Sequence, residues 1–545
     1  MTAPLVRDLP AFPVTGEDAA TVVVVGAGAA GASAALEAAA AGADVLVLRK
    51  GDGSTRWAQG GLAAAVGRGD SLAEHAADTT VAGAGLCDDA AVAAVVGAAP
   101  AEVRRLVALG GRFDTAHLGM EGGHSHHRIV HAGGDASGAE VQRVLDADLA
   151  AACATGRVRV RDGGVALDAV LDGAGRVTGV LVGEAPAGGG PLTVTLVRTA
   201  ALVLATGGFG HAYATTTNPE AITGDGLALA ARAGAEVADV EFVQFHPTVL
   251  WVAGGRGRRP LVTEALRGAG AVLVDDDGRR VMAGAHPRGD LAPRDVVSAT
   301  MARRMATLGV PHLWLDARRV GRERLEVGFP TMTAACRAQG IDPAEQPIPV
   351  APGHHYACGG VRADLDGTTS VPGLLAVGEV AATGLHGANR LASNSITESL
   401  VAGRRAGGRL GRLAAAGDLR RPAGPDPDLP APGTGAAPAA RDARADAMAH
   451  HAGVLRHGEG LEHLAALLAA EPPGPAAACA AAVESANLHL VSLLVATAAW
   501  ARTESRGSHR RGDFPDPDPA WERRIVLCRR GATLEVAVGA TLGGR

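Results

Sequence analysis

Aromatic side chains are scarce in this sequence, at 3% of 545 residues. With a hydrophobic fraction of 47%, its cores must therefore be built from Ala, Val and Leu. Lysine is scarcer still: Lys50 stands alone, and every other basic position is Arg. Six cysteines (Cys87, Cys153, Cys336, Cys358, Cys479 and Cys528) are scattered without a close pair. A zinc or iron–sulfur site needs clustered thiolates and a disulfide framework needs a small secreted chain, so neither is expected, nor is any other metal site. Positive charge is in deficit too, with a formal net charge of -6. That leaves no basic field for nucleic acid, and a small molecule becomes the expected partner. Residues 1–17 carry Arg7, Asp8 and three prolines instead of the apolar centre of a signal peptide. Ala- and Gly-rich apolar stretches are cut by Glu37 or Asp44 and are too weak for a membrane span. A cytoplasmic protein with no membrane partner is the expectation.

What is abundant is glycine, at 76 residues, without a period and beside strong apolar runs. A chain this long exceeds one hydrophobic core, so two or three domains are expected. Residues 21–25 form a β-branched strand, 26–31 a glycine turn, 32–41 a helix and 44–48 a second strand. This βαβ unit opens a parallel sheet. The run 201–204, ending in Thr206-Gly207-Gly208, reads as a later strand of the same sheet, and 374–377 as its return. Between 236 and 353 the texture changes to Pro-, His- and Arg-rich turns with short helices, consistent with an inserted domain. A Pro/Ala/Gly/Asp linker (421–440) precedes amphipathic helical patterns through Thr503, and 525–545 looks strand-like. The expected fold is α/β: a Rossmann-like dinucleotide-binding domain (1–237 and 357–418), an inserted α+β capping domain (238–356), and a linker with a C-terminal helical domain (419–545).

Gly26-Ala27-Gly28-Ala29-Ala30-Gly31 follows a strand and opens a helix. In that context the glycines let backbone approach a pyrophosphate seated on the positive end of the helix. The acid expected after the second strand to hold a ribose is absent, and Arg49-Lys50 stands there. Lys50 is therefore expected to contact a cofactor phosphate or ribose. Three features favour FAD over NAD: the polar glycine loop GDGSTRWAQGG (51–61), Asp225 in the turn Thr223-Gly224-Asp225-Gly226, and Glu379 at the carboxyl end of the late strand. Asn394-Ser395-Ile396-Thr397-Glu398 reads as a capping box, with Ser395 as N-cap and Glu398 three residues on. A helix N-terminus there would favour negative charge on a reduced flavin.

Seven motifs then occur in order: GSTRWAQGG (53–61), EGGHSHHRIVHAGGDASG (121–138), EFVQFHPT (241–248), LVTEALRGAG (261–270), LAPRDVV (291–297), HHYACGGV (354–361) and TGLHGANRLASNS (383–395). Together they resemble the succinate dehydrogenase/fumarate reductase flavoprotein superfamily, and within it the branch that oxidises L-aspartate. The resemblance runs from about residue 22 to 514. It implies FAD contacts at Gly26, Ala27, Gly28, Ala29, Ala30, Gly31, Lys50, Ser54, Thr55, Arg56, Trp57, Ala58, Gln59, Gly60, Gly61, Gly164, Asp225, Glu379, Ser395 and Ile396. The respiratory members attach FAD covalently through a His before the Thr of the wrapping loop. Here that position is Ser54, so non-covalent FAD is implied. One departure is Ala269, where the family usually has Glu.

L-Aspartate carries two carboxylates and an amine. Arg390 offers a planar fork for a carboxylate, His246, His355 and Thr263 offer further donors, and Gln244 and Glu264 lie beside them in sequence. The resemblance carries substrate binding onto His246, Thr263, His355 and Arg390 and a substrate-orienting role onto Glu121, whose carboxylate suits the substrate ammonium; Gln244 and Glu264 join the expected substrate-binding set by their place in sequence. Arg294 matches the superfamily's catalytic arginine, acting either on a proton, with help from Asp295, Asp290 or Glu264, or as a fixed charge. The resemblance further implies oxidation to iminoaspartate in de novo NAD biosynthesis, with O2 or fumarate as electron acceptor and a functional link to quinolinate synthase. The alternatives are a soluble fumarate reductase or succinate dehydrogenase flavoprotein and, in another class, a non-catalytic flavin-binding scaffold.

Overall fold

The computed structural model describes residues 8–10, 12–186, 190–419, 429–430, 433, 435–474, 479–531 and 533–540. Most of the expected linker and the last five residues of the strand-like tail lie outside them.

Five strands form a parallel sheet in the order Leu374–Ala376, Ala201–Leu204, Val22–Val25, Val45–Arg49, Val158–Asp162. The run of four valines at 22–25 is buried on both faces, as a sheet covered on both sides requires. The first helix spans Ala29–Ala40 with Gly28 as its N-cap. It begins three residues before the expected start, because the glycine motif supplies its first turn as well as the bend before it. Gly26 adopts φ +109°, and a Cβ there would stand 2.2 Å from the Ala205 carbonyl oxygen. Both the dihedral and the space demand glycine.

Scarcity of aromatics is met by close helix contact. Gly403, Gly407 and Gly411 form a stripe at four-residue spacing on the helix Asn394–Ala415. A Cβ on Gly403 or Gly407 would lie 2.2 or 2.3 Å from the carbonyl oxygens of Ala30 and Ala34 on the first helix. Small residues on both helices thus let the backbones approach, and dispersion between them takes the place of large side chains. Gly31 serves the same end at the helix–strand junction, where an added Cβ would meet the Gly26 oxygen at 2.0 Å. Gly31→Ala is expected to destabilise the protein by about 1–3 kcal/mol and to lower its flavin content. Thermal denaturation together with flavin absorbance checks this.

A mixed sheet built mostly from the inserted segment contains Gly257–Arg258, Ile348–Ala357, Leu313–Asp316 and Val272–Val274, with Val243–Leu250 paired to Ile348–Ala357, and takes in Thr215–Thr216 from the chain before that segment. The register of that last pair shifts between Gln244 and Phe245 and again between His246 and Val249. Such irregularities re-aim side chains, and one follows Gln244 and the other His246, the two residues of the strand that matter most below. The tail has a structural job: Arg524–Arg530 pairs with Val237–Ala238 and Thr533–Ala540 extends the same sheet. Helices Arg441–His451, Gly458–Ala470 and Ala480–Ala501 precede it. The last is long and apolar enough to cross a membrane by composition, which the sequence patterning did not bring out, yet 83% of the qualifying window is buried inside the protein.

Candidate active site

Two adjoining cavities share Ser54, Thr55, Glu379 and Ser399 in their walls, so they form one elongated cleft. The first part, about 840 Å³ of empty space, runs over the carboxyl ends of the parallel strands. Gly26 through Ala30, Lys50, Ser54, Thr55, Gly164, Asp225 and Glu379 line it. Thr55 Oγ1 accepts from the Ala29 amide at 3.0 Å, tying the wrapping loop to the helix start. The second part, about 1400 Å³, is lined by Trp57 through Gly61, Ser395 and Ile396, and by Glu121, His246, Thr263, Glu264, Arg294, His355 and Arg390. The cleft end of the sheet is where such folds bind ligands. Buried oxygens of Ser54, Gln59 and Thr206 have no partner among the described residues, so the walls keep unspent polar capacity that a polar dinucleotide would use.

Several expected residues prove to act differently. Gly31 lies under the helix turn, outside the cleft walls. Arg56 turns to the exterior and pairs with Asp52 and Asp146. Lys50 donates to Thr223, Asp225 and Glu484 at 2.7–2.8 Å. All three of its ammonium protons are thus spent within the protein, and Lys50 serves the cleft by fixing Asp225. Burial works against the charged forms of both, but Asp225 and Glu484 hold the Lys50 pKa above its ordinary value, and Lys50 holds Asp225 below its own.

The capping box does not form. Ser393, in the left-handed region at φ 60°, is the N-cap of Asn394–Ala415, and no side chain caps the first turn. Glu398 is withdrawn into a buried cluster, accepting from Thr383 and Tyr356 and pairing with His386 at 2.8 Å. Ser395 accepts from Arg390 Nη1 at 2.9 Å. The first turn, with Ser395 and Ile396 in the cleft wall, keeps free amides for an electron-rich ligand group. Glu379, at the junction of the two parts, accepts from the Ala357 amide, and burial raises its pKa to about 7.

Deeper in, Arg294 opens the helix Arg294–Leu308. Its Nε donates to Glu264 at 2.6 Å and its Nη1 to Gln244 Oε1 at 3.2 Å. Arg267 also reaches Glu264, at 2.9 Å. Burial alone raises the Glu264 pKa, but the two guanidiniums hold it below its usual value. Of the three carboxylates considered for Arg294, only Glu264 bonds to it. Asp295 accepts from Asn389 and Arg510, and Asp290 pairs with Arg280. Gln244, fully buried, lies outside the cleft wall. Its Oε1 also accepts from Arg390 at 3.3 Å, so one amide oxygen holds two like charges in place.

Arg390 is 4% exposed and rests over the Tyr356 ring at 4.6 Å. Burial and the nearby Arg294 lower its pKa to about 10, which leaves it charged at neutral pH. Among the described residues no carboxylate pairs with it. His246 accepts from the Thr248 amide through Nδ1 at 3.2 Å. Its proton therefore sits on Nε2, which is buried and without a partner among the described residues. His355 is oriented by Thr217 Oγ1 at 2.8 Å from its Nδ1. Burial, with Arg294 and Arg390 adding repulsion, pushes both imidazoles well below their ordinary pKa, so they are neutral donors or acceptors. Glu121, 2% exposed, accepts from Ser393 at 2.7 Å. Sequence reasoning missed Thr217, Tyr356 and Ser393, whose roles arise only by contact, and also Arg258 and Arg259. The Arg-rich stretch 256–259 was the signal for that pair.

Two broad family descriptions fit the chain, an FAD binding domain over residues 21–396 and a fumarate reductase flavoprotein C-terminal region over 476–539. Among solved structures it is similar to a mutated form of E. coli quinol fumarate reductase FrdA (TM-score 0.80, 28% identity, covering 96% of this chain and 97% of that one). It is also similar to Mycobacterium smegmatis Sdh1 (TM-score 0.78, 31% identity, 96% and 95%). These define the class: an FAD-dependent flavoprotein oxidoreductase with a mixed α/β fold. Streptomyces coelicolor L-aspartate oxidase is 47% identical, covering 96% of this chain and 93% of that protein. The Caulobacter vibrioides enzyme of the same name is 44% identical, covering 87% and 88%. The chain belongs to the L-aspartate oxidase family.

Proposed function

We propose that this protein oxidises L-aspartate to iminoaspartate, the first step of de novo NAD biosynthesis, at the inner end of the cleft. Arg390 carries the reading: a buried guanidinium without an ion-pair partner among the described residues, beside the likewise unpartnered Nε2 of His246, calls for a carboxylate. Arg390 holds one carboxylate and His246, His355 and Thr263 the other, while Glu121 takes the ammonium. In the oxidation the α-carbon loses a hydride and the amine a proton, giving the imine. FAD, held by the glycine turn, the wrapping loop, Glu379 and the first turn at Ser395 and Ile396, supplies the two-electron acceptor when bound. Arg294 faces the substrate, and Glu264 behind it provides the carboxylate through which a proton could be passed on. The parallel sheet with its flanking helices is the cofactor domain, residues 238–356 cap it, and the described helices and strands from 441 onward buttress both. Dioxygen, giving hydrogen peroxide, or fumarate restores the cofactor, and quinolinate synthase is the functional neighbour.

Anaerobic mixing with L-aspartate tests the reading: flavin absorbance near its visible maximum should bleach. Bleaching by succinate and not by aspartate would assign the protein to the fumarate reductase alternative, and no bleaching by either would leave a scaffold.

Two further outcomes follow from the same site. Because Ser54 replaces the linking His, acid precipitation should release all flavin into the supernatant, with none fluorescing on the polypeptide. L-Asparagine leaves one donor cluster without its charged partner, so its kcat/KM should fall below that of aspartate by on the order of a hundredfold. Steady-state comparison of the two amino acids measures the ratio.

A further inference from the structure

Three arginines occur within four positions at 256–259, and the structure treats them differently. Arg256 is spent on the exterior, gripping Asp446 at 2.7 Å and the Asp442 carbonyl at 2.8 Å. Arg258 and Arg259 turn instead to the cleft and line it. Neither has a carboxylate partner among the described residues, and the Nε of each is buried and unpartnered. Exposed Glu220 acts on Arg258 from a distance without pairing.

The exposure of the cleft walls shows where this pair sits. Arg390, His246 and Arg294 at the inner end are 4%, 0% and 7% exposed, whereas Trp57 beside Arg258 is 43% exposed. The pair therefore stands at the mouth. The Arg258 guanidinium carbon lies 3.5 Å over the Trp57 ring. Stacking occupies the face of the guanidinium and leaves its in-plane N–H groups for a carboxylate. The backbone beneath is fixed: Gly257 donates to Ala214 and Arg259 to Thr216, both at 2.8 Å. Thr216 pairs on its other side with His354, the neighbour of His355. Mouth and inner site are thus carried by one ladder.

We propose that Arg258 and Arg259 form an outer docking station for carboxylates, which captures anionic four-carbon substrates at the mouth and passes them to Arg390. This rests on the dicarboxylate reading of the inner site. In a chain of net charge -6, the general field does not attract such anions. A local cationic mouth corrects that and raises the rate of productive encounter.

The test uses the flavin-loaded enzyme and the variants Arg258→Gln, Arg258→Lys and the double variant R258Q/R259Q. The double variant should lower kcat/KM for L-aspartate about tenfold at low ionic strength. Flavin reduction at saturating aspartate should stay within about twofold, and the decline of kcat/KM with added salt should flatten. Arg258→Lys, which keeps the charge, should retain most of the wild-type salt dependence. Wild-type kcat/KM with an unchanged salt slope in the double variant would overturn the proposal. So would equal losses in saturated rate and kcat/KM with that slope intact, since a purely structural role gives that pattern. If the wild-type flavin is not reduced by aspartate, the substrate reading itself fails, and the docking proposal falls with it.

Discussion

Arg294→Leu slows reduction of the flavin by L-aspartate by on the order of a hundredfold or more, while the variant retains FAD and its visible spectrum. That is the size expected for losing an acid–base group or a charge that stabilises the transition state. Retention follows from the contacts, because Arg294 touches Glu264 and Gln244 and not the glycine turn. Glu264 keeps Arg267 as a partner at 2.9 Å, so the substitution does not leave a buried carboxylate bare. A substrate analogue such as succinate should still bind through Arg390, His246 and His355, shown by perturbation of the flavin spectrum. Arg294→Lys separates two roles. Substantial rescue with a new alkaline pH dependence favours proton transfer, and rescue without one favours a fixed charge. Stopped-flow reduction at the wild-type rate in the Leu variant would remove Arg294 from the chemistry.

Arg390→Leu has a different signature. Removing one partner of a desolvated charge pair costs about 2–5 kcal/mol, so the dissociation constant for aspartate should rise by roughly thirtyfold to several thousandfold, with asparagine affected less. The variant also frees Ser395 Oγ and one of the two guanidiniums on Gln244 Oε1. Relief of repulsion between Arg390 and Arg294 offsets part of the cost to the fold, so thermal stability should change little in the absence of substrate. Equilibrium titration of the flavin spectrum with aspartate and with asparagine checks the pattern. Equal weakening of the two ligands would place Arg390 away from the discriminating carboxylate.

The capping box shows where local reading stops. Ser395 and Glu398 have the right spacing, yet the competing partners of Glu398, namely Thr383, His386 and Tyr356, lie 12 to 42 positions away. A buried carboxylate binds whichever donors desolvation leaves nearest, and sequence spacing does not report them. The same limit applies to Lys50. Its place after the second strand put it at the cleft, but Glu484, more than four hundred positions later, completes the set of acceptors that takes up its charge. Asp295 fails as the partner of Arg294 although adjacent, because the helix geometry sends consecutive side chains in different directions. Glu264 succeeds from thirty positions away.

What the sequence determined by itself was whatever depends on backbone and on spacing within one motif. The valine strand and glycine turn dictate a parallel sheet with a phosphate-sized approach, since only glycine tolerates the dihedral and contact at Gly26. The residue types at Arg294, Arg390, His246 and His355 fixed the chemistry on offer. Tertiary structure alone decided which charges remain available. It paired Arg256, Lys50 and Asp295 within the protein, and among the described residues it left Arg390 and Arg258 without a carboxylate partner and the Nε2 of His246 without any, around one cleft. Availability is a property of the whole contact set, because a buried charge is free only when every element packed around it withholds a partner.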